Sequence, residues 1–218
     1  QRDETTTRLL LRSYARNIST MVANRTIIKD INANVELSEA TFYNYIKALK
    51  KLFLIQDVEA WCPAIRSKSA IRATDKREFV DPSLVVAALG VEPDYFNLDL
   101  KTFGFVFETL CIRDLKIYST ALGGRVSYYH DRYGLEADCV LHLRDGKYAL
   151  IEFKLGSADI DEGAKHLIEL ENLITEYNKT ETQCKLRLPD LKIVITGTQY
   201  GYEREDGVLV IPIGCLKD

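Results

Sequence analysis

Two short apolar runs, residues 135–143 and 147–155, are separated only by Arg144-Asp145-Gly146. That spacing constrains the fold more than any other feature of the sequence, because it predicts an antiparallel hairpin. With Gly146 in the left-handed position of a three-residue loop, Leu143 pairs with Lys147. Stepping away from the turn, Asp138 then falls opposite Glu152, and Lys154 shares the face of Glu152 because strand side chains alternate. A two-residue Asp-Gly turn would put Asp138 on the other face, so the chemistry of the chain depends on this register.

Two carboxylates facing each other across a strand pair repel. Either a divalent cation or the Lys154 ammonium would relieve them. Carboxylate oxygens suit a hard ion such as Mg²⁺, and a metal-bound water beside a lysine would suit phosphodiester hydrolysis. The alternative is a buried Asp138–Lys154–Glu152 ion cluster without chemistry, since structural networks gather the same groups.

The composition is that of a globular protein: 218 residues, 46% hydrophobic and 28% charged. A net charge of −3 argues against a surface coated in basic residues but leaves room for a local basic stripe. The five cysteines are scattered without a CxxC pair and only three histidines occur. A zinc site is therefore not expected, and a reducing, cytoplasmic setting is. No run reaches the length of a membrane span and no signal peptide is visible. The chain starts at Gln1 and has Met21 as its one methionine, which suggests a segment of a larger protein. No G-x-x-x-x-G-K-S/T occurs, so no Walker-type ATP site is expected in these residues.

Residues 4–22 read as a helix and 26–31 as a short second one. A third is capped by Ser38 and runs to about Leu52, with Phe42, Tyr45, Ile46, Leu49 and Phe53 along one side. Its other side carries Tyr43, Lys47, Lys50 and Lys51. Residues 53–61 and 77–80 then read as a strand pair, which completes the outline of a winged helix-turn-helix. Arg66, Lys68, Arg72, Lys76 and Arg77 lie between or at those strands. Together with Lys47, the residues Arg66, Lys68 and Arg72 are candidates for phosphate contact with DNA or RNA, or else a solvated loop on a packing module. We expect a domain boundary near residue 90, giving domains 1–90 and 91–218.

Residues 99–121 predict a long helix capped by Asp99, with Glu108 beside its apolar stripe. Residues 125–130 predict a strand. Asp159-x-x-Glu162 resembles a capping box at the start of a helix to about Tyr177, and 191–196 and 208–213 predict further strands. A strand–helix–strand step implies a parallel crossover. The expected fold class is α/β (α+β overall), with a mixed sheet in an α/β/α layer. Trp61 reads as an apolar contact between the two halves. Tyr128, Tyr129 and Tyr133 are either stacking platforms or packing residues.

This order, with Glu108, Asp138 and Glu152-Phe153-Lys154, resembles the PD-(D/E)xK nuclease superfamily and its restriction-endonuclease-like fold. The whole chain is similar to the C-terminal region of bacterial AAA-type ATPases that end in a nuclease-like domain. The resembling stretches include Arg12-Ser13-Tyr14-Ala15-Arg16, Tyr45-Ile46-Lys47-Ala48-Leu49, Phe79-Val80-Asp81-Pro82-Ser83-Leu84, Phe105-Val106-Phe107-Glu108 and Gly134-Leu135-Glu136-Ala137-Asp138. The resemblance implies an ATP-binding module preceding the winged helix in the parent protein. It implies Asp138, Glu152 and the Phe153 carbonyl as Mg²⁺ ligands. Lys154 would position water or stabilise charge, and Glu108 would support the metal. The sequence departs from the pattern at Ala137, where the superfamily has proline, and at His130, where an arginine is expected.

Overall fold

A computed structural model describes residues 3–64 and 73–217. The chain forms two compact units, Gln1–Val58 with Thr74–Leu110, and Glu59–Ala73 with Cys111–Asp218.

The first unit opens with helix α1 (Glu4–Arg16), whose N-cap Asp3 accepts the Thr6 amide at 2.7 Å. The apolar pattern predicts helix to residue 22, but α1 stops at Arg16. Ser19 takes a φ of +57° and gives its N–H to the Arg77 carbonyl at 2.8 Å. This bond to a distant segment outcompetes one more helical turn. Helices α2 (Asn24–Asn32) and α3 (Glu39–Lys51) follow, and the Ser38 side chain accepts from the Thr41 amide as expected. Leu10, Tyr14, Ile27, Ile31, Phe42 and Leu49 form the shared core of α1, α2 and α3.

The expected strand pair is reduced to isolated antiparallel bridges, Ile55↔Phe79 and Val58↔Lys76. Ahead of it, Phe53 sits at φ +54° and is 78% exposed, while the Leu54 amide donates to the Leu49 carbonyl. Helix α4 (Pro82–Leu89) is capped by Asp81 and ended by Gly90, and α5 (Leu100–Tyr118) begins where Asp99 accepts the Thr102 amide.

The second unit is built on a six-stranded sheet in the order β1-β2-β3-β4-β6-β5. Its strands are β1 (Arg125–His130), β2 (Glu136–His142), β3 (Tyr148–Lys154), β4 (Leu191–Thr196), β5 (Tyr202–Glu203) and β6 (Leu209–Pro212). β1, β2 and β3 are antiparallel, β3–β4 and β4–β6 are parallel, and β5 returns antiparallel to β6. The sheet is therefore mixed, as the strand–helix–strand order predicts.

Helix α6 (Ile160–Thr180) makes the crossover from β3 to β4. Its Ile160, Ala164, Leu167, Leu170 and Ile174 form a core with Val140, Leu150, Val194 and Val210 of the sheet. The capping box is not made: the Asp159 side chain forms no cap hydrogen bond. Trp61 packs inside this unit, its ring 4.8 Å from that of Tyr148. Tyr128 is 1% exposed and belongs to the packing, whereas Tyr133 is 78% exposed. Among the described residues no helix is long and apolar enough to cross a membrane.

Candidate functional site

The hairpin has the three-residue form. Gly146 takes a φ of +86°, and the Leu143 amide donates to the Lys147 carbonyl at 2.8 Å. The register runs His142↔Tyr148, Leu141↔Ala149, Val140↔Leu150 and Cys139↔Ile151. The ladder ends there; the same register carried one residue further sets Asp138 against Glu152, and the Asp138 charge acts on the Glu152 carboxyl. There the side chain takes over from the ladder, and Asp138 Oδ2 accepts the Phe153 amide at 2.9 Å.

Glu152 is 2% exposed. Its Oε2 lies 3.2 Å from Lys154 Nζ and 3.8 Å from Nδ1 of His166. Its Oε1 has no hydrogen-bond partner. Among the described residues the buried side-chain atoms in that condition are Glu152 Oε1 and His166 Nδ1, both in this one cluster. Burial, and then the charge of Asp138, push the Glu152 carboxyl up to about 8, with Lys154 partly opposing. Burial also disfavours the charge on Lys154, but Glu152 and Asp138 outweigh it and raise its pKa, so this lysine is an ammonium. A carboxyl held this far from its ordinary range is short of positive charge.

Helix α6 closes over the cluster because Gly163 has no side chain. A Cβ there would come within 2.9 Å of Lys154 Cε and 3.3 Å of Glu152 Cβ. His166 follows three residues later on the same helical face. His166 is one of the three histidines and carries no expected role from the sequence alone. The signal was Gly163, a residue that costs a helix interior about 1 kcal/mol relative to alanine, three positions before an imidazole.

Glu108 is in the first unit, 8% exposed, with Lys76 Nζ donating to its Oε1 at 2.6 Å. Phe153 is buried in β3 and pairs in register with Ile195 of β4. Lys47 is exposed on α3. Arg66, Lys68 and Arg72 lie outside the described residues. Lys76 and Arg77, from the same basic stretch, are each 6% exposed. Arg77 is held by Asp57 at 3.2 Å and by the Val22 carbonyl, so it is committed to the fold and not to phosphates.

Two carboxylates with one unsatisfied oxygen fit Mg²⁺, which binds through one or two carboxylates and keeps several waters. Among the described residues no three His, Cys, Asp or Glu side chains form a ready-made cation cage. Asp138 and Glu152 would hold such an ion with solvent completing its shell.

Residues 1–95 match a family described as a domain of unknown function (DUF8612). Residues 103–216, more than half of the chain, match a second, the domain of unknown function DUF4143. The chain belongs to the DUF4143 family. The DUF4143 segment contains Asp138, Glu152, Lys154, Gly163 and His166, whereas Lys47 lies in the DUF8612 segment. No curated protein matches the sequence. A solved chain from an assembly of Thermococcus gammatolerans McrB AAA+ hexamers with bound McrC is 9% identical, with a TM-score of 0.31. That alignment covers 94% of this chain and 70% of the other.

Proposed function

We propose that the second unit is a nuclease-like domain in which Asp138, Glu152 and Lys154 support Mg²⁺-dependent phosphodiester hydrolysis. The observation that carries this reading is the buried, unpartnered Oε1 of Glu152, a carboxyl on which the Asp138 charge also acts. Mg²⁺, when bound, supplies Lewis-acid stabilisation and a water of lowered pKa. Asp138 and Glu152 hold the ion by their carboxylates. The Lys154 ammonium stands 3.2 Å from Glu152, where it can meet the negative charge that builds on the phosphoryl group. The covering helix limits solvent and strengthens these charges. Overall, water adds across one P–O bond to give a phosphate monoester and an alcohol.

In this reading the first unit is a winged helix whose exposed Lys47 contacts phosphates of DNA or RNA, and Arg66, Lys68 and Arg72 are candidates for the same role. The parent protein supplies a separate AAA-type module that binds ATP, a placement supported by the sequence resemblance and by the absence of a P-loop in these residues.

A noncatalytic reading has its own support. Lys154 already neutralises part of the Glu152 charge, so the cluster can exist without a cation. The unit would then regulate the ATPase by binding nucleic acid or protein. Calorimetry with Mg²⁺ separates the two. Binding that is lost in Asp138→Asn, together with cleavage of a DNA or RNA substrate lost in the same variant, supports the hydrolase. No heat at millimolar Mg²⁺ refutes it.

A further inference from the structure

We propose that the second unit binds single-stranded nucleic acid, with bases stacked on Tyr133 and Tyr200 to either side of the Asp138, Glu152 and Lys154 cluster. This rests on the reading above for the position of the reacting phosphate, and it names the substrate class.

The sheet brings both tyrosines to one end. Asp138 lies near the start of β2, and Glu152 and Lys154 lie at the end of β3. Because β2 is antiparallel to both β1 and β3, the β1–β2 turn with Arg132 and Tyr133 projects from that same end of the sheet. β4 is parallel to β3, with Lys154 beside Thr196, so the loop that follows Thr196 and carries Tyr200 leaves from there too. In the strand order the first loop lies on one side of β3 and the second on the other. Two strand spacings of about 4.8 Å each separate β2 from β4, room for several stacked nucleotides at about 3.4 Å each.

Tyr133 and Tyr200 are each 78% exposed, the most exposed large hydrophobic side chains among the described residues of the second unit. Their loops are nevertheless held. Asp131 Oδ1 accepts the amides of Tyr133 at 2.8 Å and Leu135 at 3.0 Å. The Arg132 guanidinium lies 4.7 Å from the Tyr133 ring centroid and donates to its hydroxyl at 2.5 Å. Beyond β4, a Cβ on Gly197 would come within 2.7 Å of the Leu155 carbonyl oxygen, and one on Gly201 within 3.2 Å of that of Val210. These two close approaches pin both ends of the Tyr200 loop. A ring presented on a held loop loses little freedom when it binds.

The chemistry selects an unpaired strand. A tyrosine face accepts any base, but inside a duplex both faces of a base are already covered by its neighbours. Arg132 adds a positive charge for a phosphate beside the first ring. Tyr177, 44% exposed near the C-terminal end of α6, stands at the opposite end of the sheet, since α6 runs from the end of β3 back to the start of β4. It serves as the control.

The test is fluorescence anisotropy of the full chain with labelled oligothymidylate, oligouridylate and a duplex of oligothymidylate with oligoadenylate, in EDTA so that no strand is cut. The tighter-bound single strand should exceed the duplex by at least about tenfold in affinity. Tyr133→Ala and Tyr200→Ala should each weaken single-strand binding by about fivefold to a hundredfold, whereas Tyr200→Phe keeps it because stacking needs only the ring. Tyr177→Ala should leave it unchanged. Equal affinity for single strand and duplex, or no effect of Tyr133→Ala and Tyr200→Ala, overturns the proposal and leaves Mg²⁺ binding and Asp138-dependent cleavage standing. Single-strand binding that depends on both tyrosines, in a chain that gives no heat with Mg²⁺, upholds the stacking and refutes the hydrolase alone.

Discussion

Asp138 accepts the amide proton of Phe153 at 2.9 Å, so the side chain that faces Glu152 also finishes the hydrogen bonding of β3. The residue serves the backbone and the candidate site together, and its substitutions separate the two roles. Asp138→Ala leaves a buried amide without an acceptor and should destabilise the chain by about 1–3 kcal/mol. Asp138→Asn keeps a carbonyl oxygen for that amide and should cost less than about 1 kcal/mol. Both should lose cation binding. Denaturant unfolding paired with calorimetry checks this.

Glu152 gives the apo chain a pH signature. Its folded-state carboxyl is pushed up to about 8 from an ordinary 4.5. Its contribution to stability is therefore fully present below about 4.5 and is lost as pH rises toward about 8. Without divalent cations, the unfolding free energy should fall across that window by an amount on the order of a few kcal/mol. Glu152→Gln should flatten the slope, and so should a saturating cation. Urea titrations at several pH values measure it.

Gly163 sets the distance between α6 and the carboxylates. Gly163→Ala gains about 1 kcal/mol of helix propensity but presses on Lys154 Cε, the far end of a flexible chain, and on Glu152 Cβ. The net stability change should stay within about 1 kcal/mol, while Lys154 is displaced from Glu152. Gly163→Val cannot be absorbed by one lysine and should destabilise by about 1–3 kcal/mol. Thermal melts compare them.

The hairpin turn is a second place to test register. Gly146 has a φ of +86°, whereas Gly156 lies outside the left-handed region and a Cβ there meets nothing within 4 Å. Gly146→Ala should cost about 1–2 kcal/mol, and Gly156→Ala should be close to neutral. Chemical denaturation of the two variants reads the difference.

Phe53 offers the opposite sign. It holds a left-handed conformation with φ +54° while 78% of its surface is exposed, so little burial offsets the strain. Phe53→Gly should stabilise the first unit by about 1 kcal/mol. An unchanged or lowered melting temperature would show that the ring makes contacts that outweigh the strain.

What could be read from the sequence was mostly local. Arg144-Asp145-Gly146 between two strand-like runs specified the turn and the register from His142↔Tyr148 to Cys139↔Ile151. Ser38 and Asp99 announced their helices because a cap depends on neighbours three residues away. What could not be read was decided at long range. The end of α1 depends on Ser19 meeting Arg77, and the fate of Lys76 depends on Glu108. Asp159 had the right residue type for a cap, yet its side chain does not make the bond. His166 reaches Glu152 only because the crossover returns over β3, and its neighbouring residues do not encode that distance.

The parallel pairing of β3 with β4 has a consequence for the order in which the molecule assembles. A hairpin such as β2–β3 closes within microseconds, but β3 cannot meet β4 until the intervening helix has formed and docked. Asp138 and Glu152 are therefore brought face to face early, while still washed by solvent, and their mutual repulsion is tolerable there. The difficulty comes later, when α6 settles and strips that water away. Burial of the Glu152 carboxyl is thus tied to the docking of α6, the element that separates β3 from β4 in sequence.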